Sequence, residues 1–226
     1  MSEEHEEHQE KKSTMYLVIA GLILIGILGI IYYRIHYTKP EQKTNDELLQ
    51  EALTGTLPVD KGYVYNKVYP FVTDNDFWYT QIRSPKGTTL YDLAFRYGPR
   101  EVSSVHIEGT FNETTFNNYA NVIVTFDPIG GDLTHIQLAV ADFDTMIVQV
   151  FGKVPLAACT RNETAACANR PIVTCENSKI PVIYFRSSDT AGVFMNDNCV
   201  ILSGHDFDIV KSTDRYLLGI LGIMPW

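Results

Sequence analysis

Residues 121–152 read NVIVTFDPIGGDLTHIQLAVADFDTMIVQVFG. The first six form an apolar, β-branched run of strand length, and Asp127 to Asp132, DPIGGD, are turn residues. From residue 133 the pattern changes. Ile136, Val140, Phe143, Ile147 and Val150 recur at three- and four-residue steps, which predicts a helix over 133–151 stopped by Gly152. Downstream, PIVTC (171–175), PVIYFR (181–186) and CVILSG (199–204) read as strands. A last helix is predicted from about Phe207 to Ile223, with Val210, Leu217, Leu218 and Leu221 on one face.

Upstream, YVYNKVYPFV (63–72), DFWYTQIR (76–83) and TTLYDLAFRY (88–97) alternate or run apolar with many aromatics. Thr73 to Asp76 and Ser84-Pro85-Lys86-Gly87 read as the turns between them, and VHIEGTF (105–111) as a further short strand. The expected fold class is α+β over residues 62–226: an antiparallel strand meander beside a mixed sheet packed with two longer helices.

Ahead of this domain, Met15 to Tyr33 reads MYLVIAGLILIGILGIIYY, with no ionisable side chain except tyrosines near its ends. Nineteen helical residues rise about 28 Å, close to a hydrocarbon core of about 30 Å. The run is apolar all round, unlike the one-sided pattern of a helix packed on a globular core. Tyr32, Tyr33 and Arg34 follow it where a cleaved signal would show small residues. An uncleaved transmembrane signal-anchor over 15–34 is therefore expected, in contact with membrane lipid. Residues 1–14, MSEEHEEHQEKKST, have no apolar face and are expected to be a disordered cytoplasmic tail. Residues 35–61 are expected to be a stalk. Pro40 interrupts the anchor helix, and the capping pattern Thr44-Asn45-Asp46-Glu47 opens a short helix ending near Gly55.

Charge gives little help with orientation. Lys11 and Lys12 precede the run, while Arg34, Lys39 and Lys43 follow it, a difference of one residue in the wrong sense for a cytoplasmic N-terminus. The cysteines decide instead. Cys159, Cys167, Cys175 and Cys199 cluster in the last third, and an even, clustered set beyond a membrane anchor implies two disulfides. Three pairings exist. Cys159–Cys167, closing a short polar loop, and Cys175–Cys199, tying two strand-like segments, are favoured, worth about 2.5 and 3.5 kcal/mol by loop closure. The spacings of eight, eight and twenty-four fit structural zinc badly. Asn112-Glu113-Thr114 and Asn162-Glu163-Thr164 are glycosylation sequons. The chain carries a net charge of −9, and −6 without the tail's five glutamates and two lysines, which makes nucleic acid a poor partner.

The run ACTRNETAACANRPIVTC (158–175), with PVIYFR, NCVILSG, KSTDRYLLGILGI (211–223), WYTQI (78–82) and LYDLAFRYGPREV (90–102), resembles a family of small archaeal single-pass membrane proteins. That family has a four-cysteine extracytoplasmic domain. The resemblance covers residues 62–226 by pattern and order of segments. It implies the anchor, the cysteines and an archaeal envelope, and no substrate or catalytic residue.

Candidate ligand or metal residues are few. Asp127 opens a loop in which Gly130 and Gly131 would let the backbone approach an anion at a helix start, but the loop matches neither GxGxxG nor GxxxxGK[ST]. His205, Asp206 and Asp208 stand between a strand and the last helix; they suit a metal or acid–base chemistry, but Asp206 is expected to serve as the helix N-cap, with acidic residues in the first turn. His36, His106 and His135 join no known ligand pattern, no GxSxG elbow surrounds a serine, and no cofactor is implied. The expected function is a non-enzymatic binding or scaffolding module for another envelope protein. The alternative is a metal-dependent envelope hydrolase using Asp127 or the His205–Asp208 cluster.

Overall fold

The computed structural model describes residues 3–37, 43–84 and 87–226. They divide into two units, Met1–Thr44 and Asn45–Trp226.

The first unit is helix α1, Glu3–Tyr37. The tail expected to lack structure is thus helical from Glu3 onward. Ile19, Leu22 to Ile25, Ile27, Leu28 and Ile30 to Tyr33 are all exposed, as expected of a run apolar on every side. Among the described residues no helix is long and apolar enough to cross a membrane. Pro40 lies outside the described residues.

The second unit opens with α2, Asn45–Thr54, which carries Asp46 and Glu47 in its first turn. Leu49 and Ala52, three residues apart on one helix face, are buried against Val72 and flanked by Leu48, Leu57 and Tyr79. The helix expected within a stalk over 35–61 therefore lies on the domain.

Val72 belongs to sheet A, whose strands β1 (Gly62–Tyr65), β2 (Tyr69–Asp74), β3 (Phe77–Arg83) and β4 (Leu90–Phe95) pair antiparallel in chain order. This is the expected meander. Asn75 and Asp76, at φ 48° and 65°, make the two-residue turn between β2 and β3, a conformation these short polar residues tolerate. Gly87 N–H donates to Ser84 O, closing the next turn, of which Pro85 and Lys86 lie outside the described residues. Side chains alternate across the sheet. Val72 faces α2 while Phe71 enters the main core with Leu93 and Phe95.

Sheet B has six strands, β5 (His106–Gly109), β6 (Asn121–Phe126), β7 (Val154–Cys159), β8 (Val182–Ser187), β9 (Gly192–Asn196) and β10 (Cys199–Gly204), in the order β5-β9-β10-β8-β6-β7. The strands β7, β6, β8 and β10 run parallel, and β9 is antiparallel to β10. The expected mixed sheet is present. Helix α3 (Glu113–Asn118) precedes β6, α4 (Leu133–Phe151) follows it, and α5 (Phe207–Ile220) ends the fold. Gly152 ends α4 in a left-handed conformation at φ 61°, its N–H returning to Ile147 O and Val148 O.

Helices α4 and α5 are the two longer helices of the domain. Phe143 of α4 packs on Phe185 of β8 and on Tyr216 of α5, at ring-centroid distances of 5.9 and 6.3 Å. The same core takes Phe71, Leu93 and Phe95 from sheet A, and α5 is buried at every position from Ser212 to Gly219. The C-terminal Trp226 closes this core. Its ring stands 5.8 Å from Tyr216 and fills the space where Gly219 lacks a Cβ.

The opposite face of sheet B carries Ile123, Ala158, Val182 and Cys199 under the segment 160–181, which contributes Val173 and only one 3-10 turn, Ala165–Cys167. Two disulfides hold that cover down, Cys159–Cys167 and Cys175–Cys199, with Cα separations of 6.0 and 5.4 Å. Of the segment expected as strand PIVTC, only Ile172 makes a bridge, to Cys159.

Candidate functional site

Four parallel strands of sheet B end on one side of the domain, and the loops that follow them carry most of the candidate residues. The chain leaves β6 towards β7 and leaves β8 in the other direction, towards β9 beyond β10. Neighbouring connections thus diverge between β6 and β8, where open α/β sheets usually place a ligand. Gly130 and Gly131 lie here. A Cβ on Gly131 would stand 3.8 Å from Ser187 Oγ at the end of β8.

Asp127 is not a free ligand. Its Oδ1 accepts the Ile129 N–H at 3.1 Å, tightening the turn, and its Oδ2 pairs with Arg161 at 2.7 Å, just after β7. Asp208 is likewise paired, with Lys211 at 2.9 Å. Both carboxylates are thus held by cationic side chains.

His205 and Asp206 do come together, with two partners that the sequence did not single out. Asp132 ends the β6–α4 loop, and His135 follows one turn into α4. His135 Nδ1 donates a short hydrogen bond to Asp132 Oδ1. Asp132 Oδ2 accepts the backbone N–H of Asp206 at 2.6 Å, across 74 residues of chain. His135 Nδ1 lies 3.7 Å from Asp206 Oδ1. His205 Nδ1 lies 3.9 Å from Asp132 Oδ2, and its Nε2 lies 3.7 Å from Asp206 Oδ1. The Phe207 ring stands 4.6 Å from the His135 ring, edge to face.

Both aspartates occupy helix-start positions, yet neither side chain caps its own helix. This corrects the capping role expected of Asp206. Both backbones have positive φ, 61° at Asp132, which is left-handed helical, and 50° at Asp206, which is not. The strain is held by the Asp132 hydrogen bonds that cross between the two loops.

The electrostatics follow from burial. The Asp132 side chain is only 6% exposed, and that desolvation alone would raise its pKa. The hydrogen bonds from His135 and the Asp206 amide, with the charges of His135 and His205, outweigh it, so the carboxyl sits below its ordinary range. Asp206 and His205 remain open to solvent, at 64% and 55%. The arrangement supplies two carboxylates and two imidazoles at the mouth of two loops. The sequence signal was a repeated grammar, in which a strand, an acidic turn residue and a helix recur with a histidine beside each junction.

A second feature lies at the other end of sheet B, where Glu108, Phe194, Asn196, Ile201 and the Cys175–Cys199 bridge line a cavity of about 330 Å3. Of the two sequons, Asn162 is exposed within the Cys159–Cys167 loop. The Asn112 side chain is engaged. Its Oδ1 accepts the Thr115 N–H at 2.9 Å, capping α3, and its Nδ2 donates to Asp197 at 3.0 Å.

No protein-family model, curated protein or solved structure matches this chain.

Proposed function

We propose that this chain is a membrane-anchored cell-envelope protein whose domain, residues 45–226, stands outside the cytoplasm and binds another envelope component without catalysing a reaction. The observation that carries the reading is the pair of disulfides, which use all four cysteines and hold down the cover of one sheet face. Such bridges persist in oxidising compartments and are uncommon in a reducing cytosol. The apolar run from Met15 to Tyr33 supports an anchor, and the disulfides of the domain that follows favour an N-terminus inside. The cavity at the Cys175–Cys199 bridge falls within the size range of ligand pockets, roughly 300–1,000 Å3.

The test is made on intact cells of the native host. Protease added outside should digest residues 45–226 and leave the N-terminal tail protected. Cross-linking before extraction should capture one envelope partner in constant ratio. Free thiols at Cys159 and Cys167 in freshly isolated membranes, or a domain shielded from external protease, would overturn the placement.

A further inference from the structure

We propose that Asp132, His135 and Asp206, joined by His205, form a binding site for one divalent transition-metal cation of zinc-like chemistry, seated between the starts of α4 and α5. The inference is independent of where the chain resides.

The donor geometry is the first argument. One donor atom from each of Asp132, His135 and Asp206 falls within 4.8 Å of the others. Two ligands of a tetrahedral zinc ion, each about 2.0–2.1 Å from the metal, stand roughly 3.3 Å apart. The contacts from His135 Nδ1 and from His205 Nε2 to Asp206 Oδ1, both 3.7 Å, need only a slight contraction. The closer contact between His135 and Asp132 must open, and the cation then takes the place of the proton that His135 now donates.

Charge compensation is the second argument, and it sets this cluster apart from its neighbours. Asp127 has Arg161 and Asp208 has Lys211. Among the described residues, the only ion-pair partners of Asp132 and Asp206 are the two histidines, whose imidazoles are neutral unless protonated. With both imidazoles neutral, as metal ligation requires, the four side chains carry a charge of about −2, which one divalent cation cancels. Helix starts alone favour anions, so it is the ionised carboxylates that reverse the local sign.

The third argument is that both aspartates decline the hydrogen bond their position offers. Neither side chain caps its own helix, and Asp206 turns towards His135 and His205 instead. Two imidazoles favour zinc, copper or nickel over magnesium or calcium, which prefer all-oxygen sets. The exposed flank, His205 and Asp206, gives the ion its route in and leaves room for a water or a partner's donor.

The test uses the full-length chain purified in detergent. His5 and His8 are replaced by alanine, because the tail's histidines and glutamates could bind metal themselves. After stripping with a chelator, the protein is titrated with Zn2+ by calorimetry and with Co2+ by visible absorption. The expected result is one Zn2+ per chain and the d–d bands of four-coordinate Co2+. Loss of even an outer-shell partner weakens metal sites about 10–100-fold, so His135→Ala and His205→Ala should each cost at least that. His205→Ala decides the matter, because the residue is exposed and its removal should leave the metal-free melting temperature unchanged. Absence of stoichiometric Zn2+ uptake, uptake undiminished in His205→Ala, or preference for Ca2+ over Zn2+ would overturn the proposal. The cluster would then be a hydrogen-bonded clamp only.

Discussion

The two faces of sheet B are held by different means. On one face Val122, Val124, Ile183, Phe185, Val200 and Leu202 meet two full helices carrying Phe143, Ile147, Tyr216 and Leu217. On the other, Ile123, Ala158, Val182 and Cys199 meet a segment that offers Val173, with Cys175 and Ile180 part-buried. Apolar burial contributes roughly 25 cal/mol per Å2, so the first face has ample means of its own. The second cannot order an irregular cover by burial alone. Its two disulfides lower the entropy of the unfolded chain instead. Within one sheet, covalent staples appear where side-chain contact is thin.

Several measurements would break or sharpen this contrast. The largest effect is expected from Phe143→Ala, which leaves a cavity at the centre of the helix face and should lower unfolding stability by about 3–5 kcal/mol in urea titration of the oxidised chain. Val182→Ala on the stapled face should cost clearly less. Equal losses would erase the distinction.

Replacing both Cys175 and Cys199 by serine should cost about 3.5 kcal/mol. Amide exchange should then rise first over residues 160–181, while α4 and α5 keep their protection. Loss of protection across both faces together would show that the staple supports the whole sheet.

Acid–base behaviour should be governed by the helix side, where the titrating carboxyls lie. Burial pushes the Asp144 carboxyl of α4 up to about 6 and raises Asp214 of α5 well above its ordinary value. Near pH 5 the folded chain therefore keeps a proton on Asp144 that the unfolded chain, with an ordinary value of 3.8, has released. That contribution is complete below about pH 4 and is lost as pH rises through about 6. Asp144→Asn should flatten this slope in the urea midpoint. Asp132 behaves oppositely, its contribution disappearing only as pH falls through its lowered pKa, below 3.8. An unchanged slope in Asp144→Asn would mean that the group is solvated in the folded chain.

The smallest effect concerns sugar. Expression in a glycosylating host should modify Asn162, which is exposed in the stapled loop, in preference to Asn112, which is held by Thr115 and Asp197. Peptide mass mapping checks the occupancy. Full modification of Asn112 would mean that the α3 cap opens readily.

Strong local patterns were legible in the sequence and weak ones were not. The helical spacing from Ile136 to Val150, the Gly152 stop and the aromatic meander all specify local geometry, and the structure has them. Strand β7 was missed because VPLAAC has a proline and little alternation. Pro155 is tolerated there because β7 lies at the sheet edge. Strand β9, GVFMN, is short and gains its pairing from β5 and β10. The run PIVTC reads as strand, but its cover position leaves one bridge. The cluster escaped for a different reason. Asp132 reads as a turn residue and His135 as one face of a helix. Their approach to Asp206 is made by the sheet, which brings two junctions together across 74 residues.

The place of β10 has a consequence for the order in which the chain can fold. It lies between β8 and β9, yet it is the last strand to be synthesised. Helix α5 and Trp226, which complete the core, come later still. Sheet A can pair as it emerges, since its strands are neighbours in sequence. Sheet B must wait with a gap at its centre until residues 199–204 arrive. Such long-range pairing is slow, and its unpaired edges are exposed meanwhile. Interrupted synthesis short of residue 204 would therefore leave a meander with no partner layer, a species that proteases should clear rather than a smaller working protein.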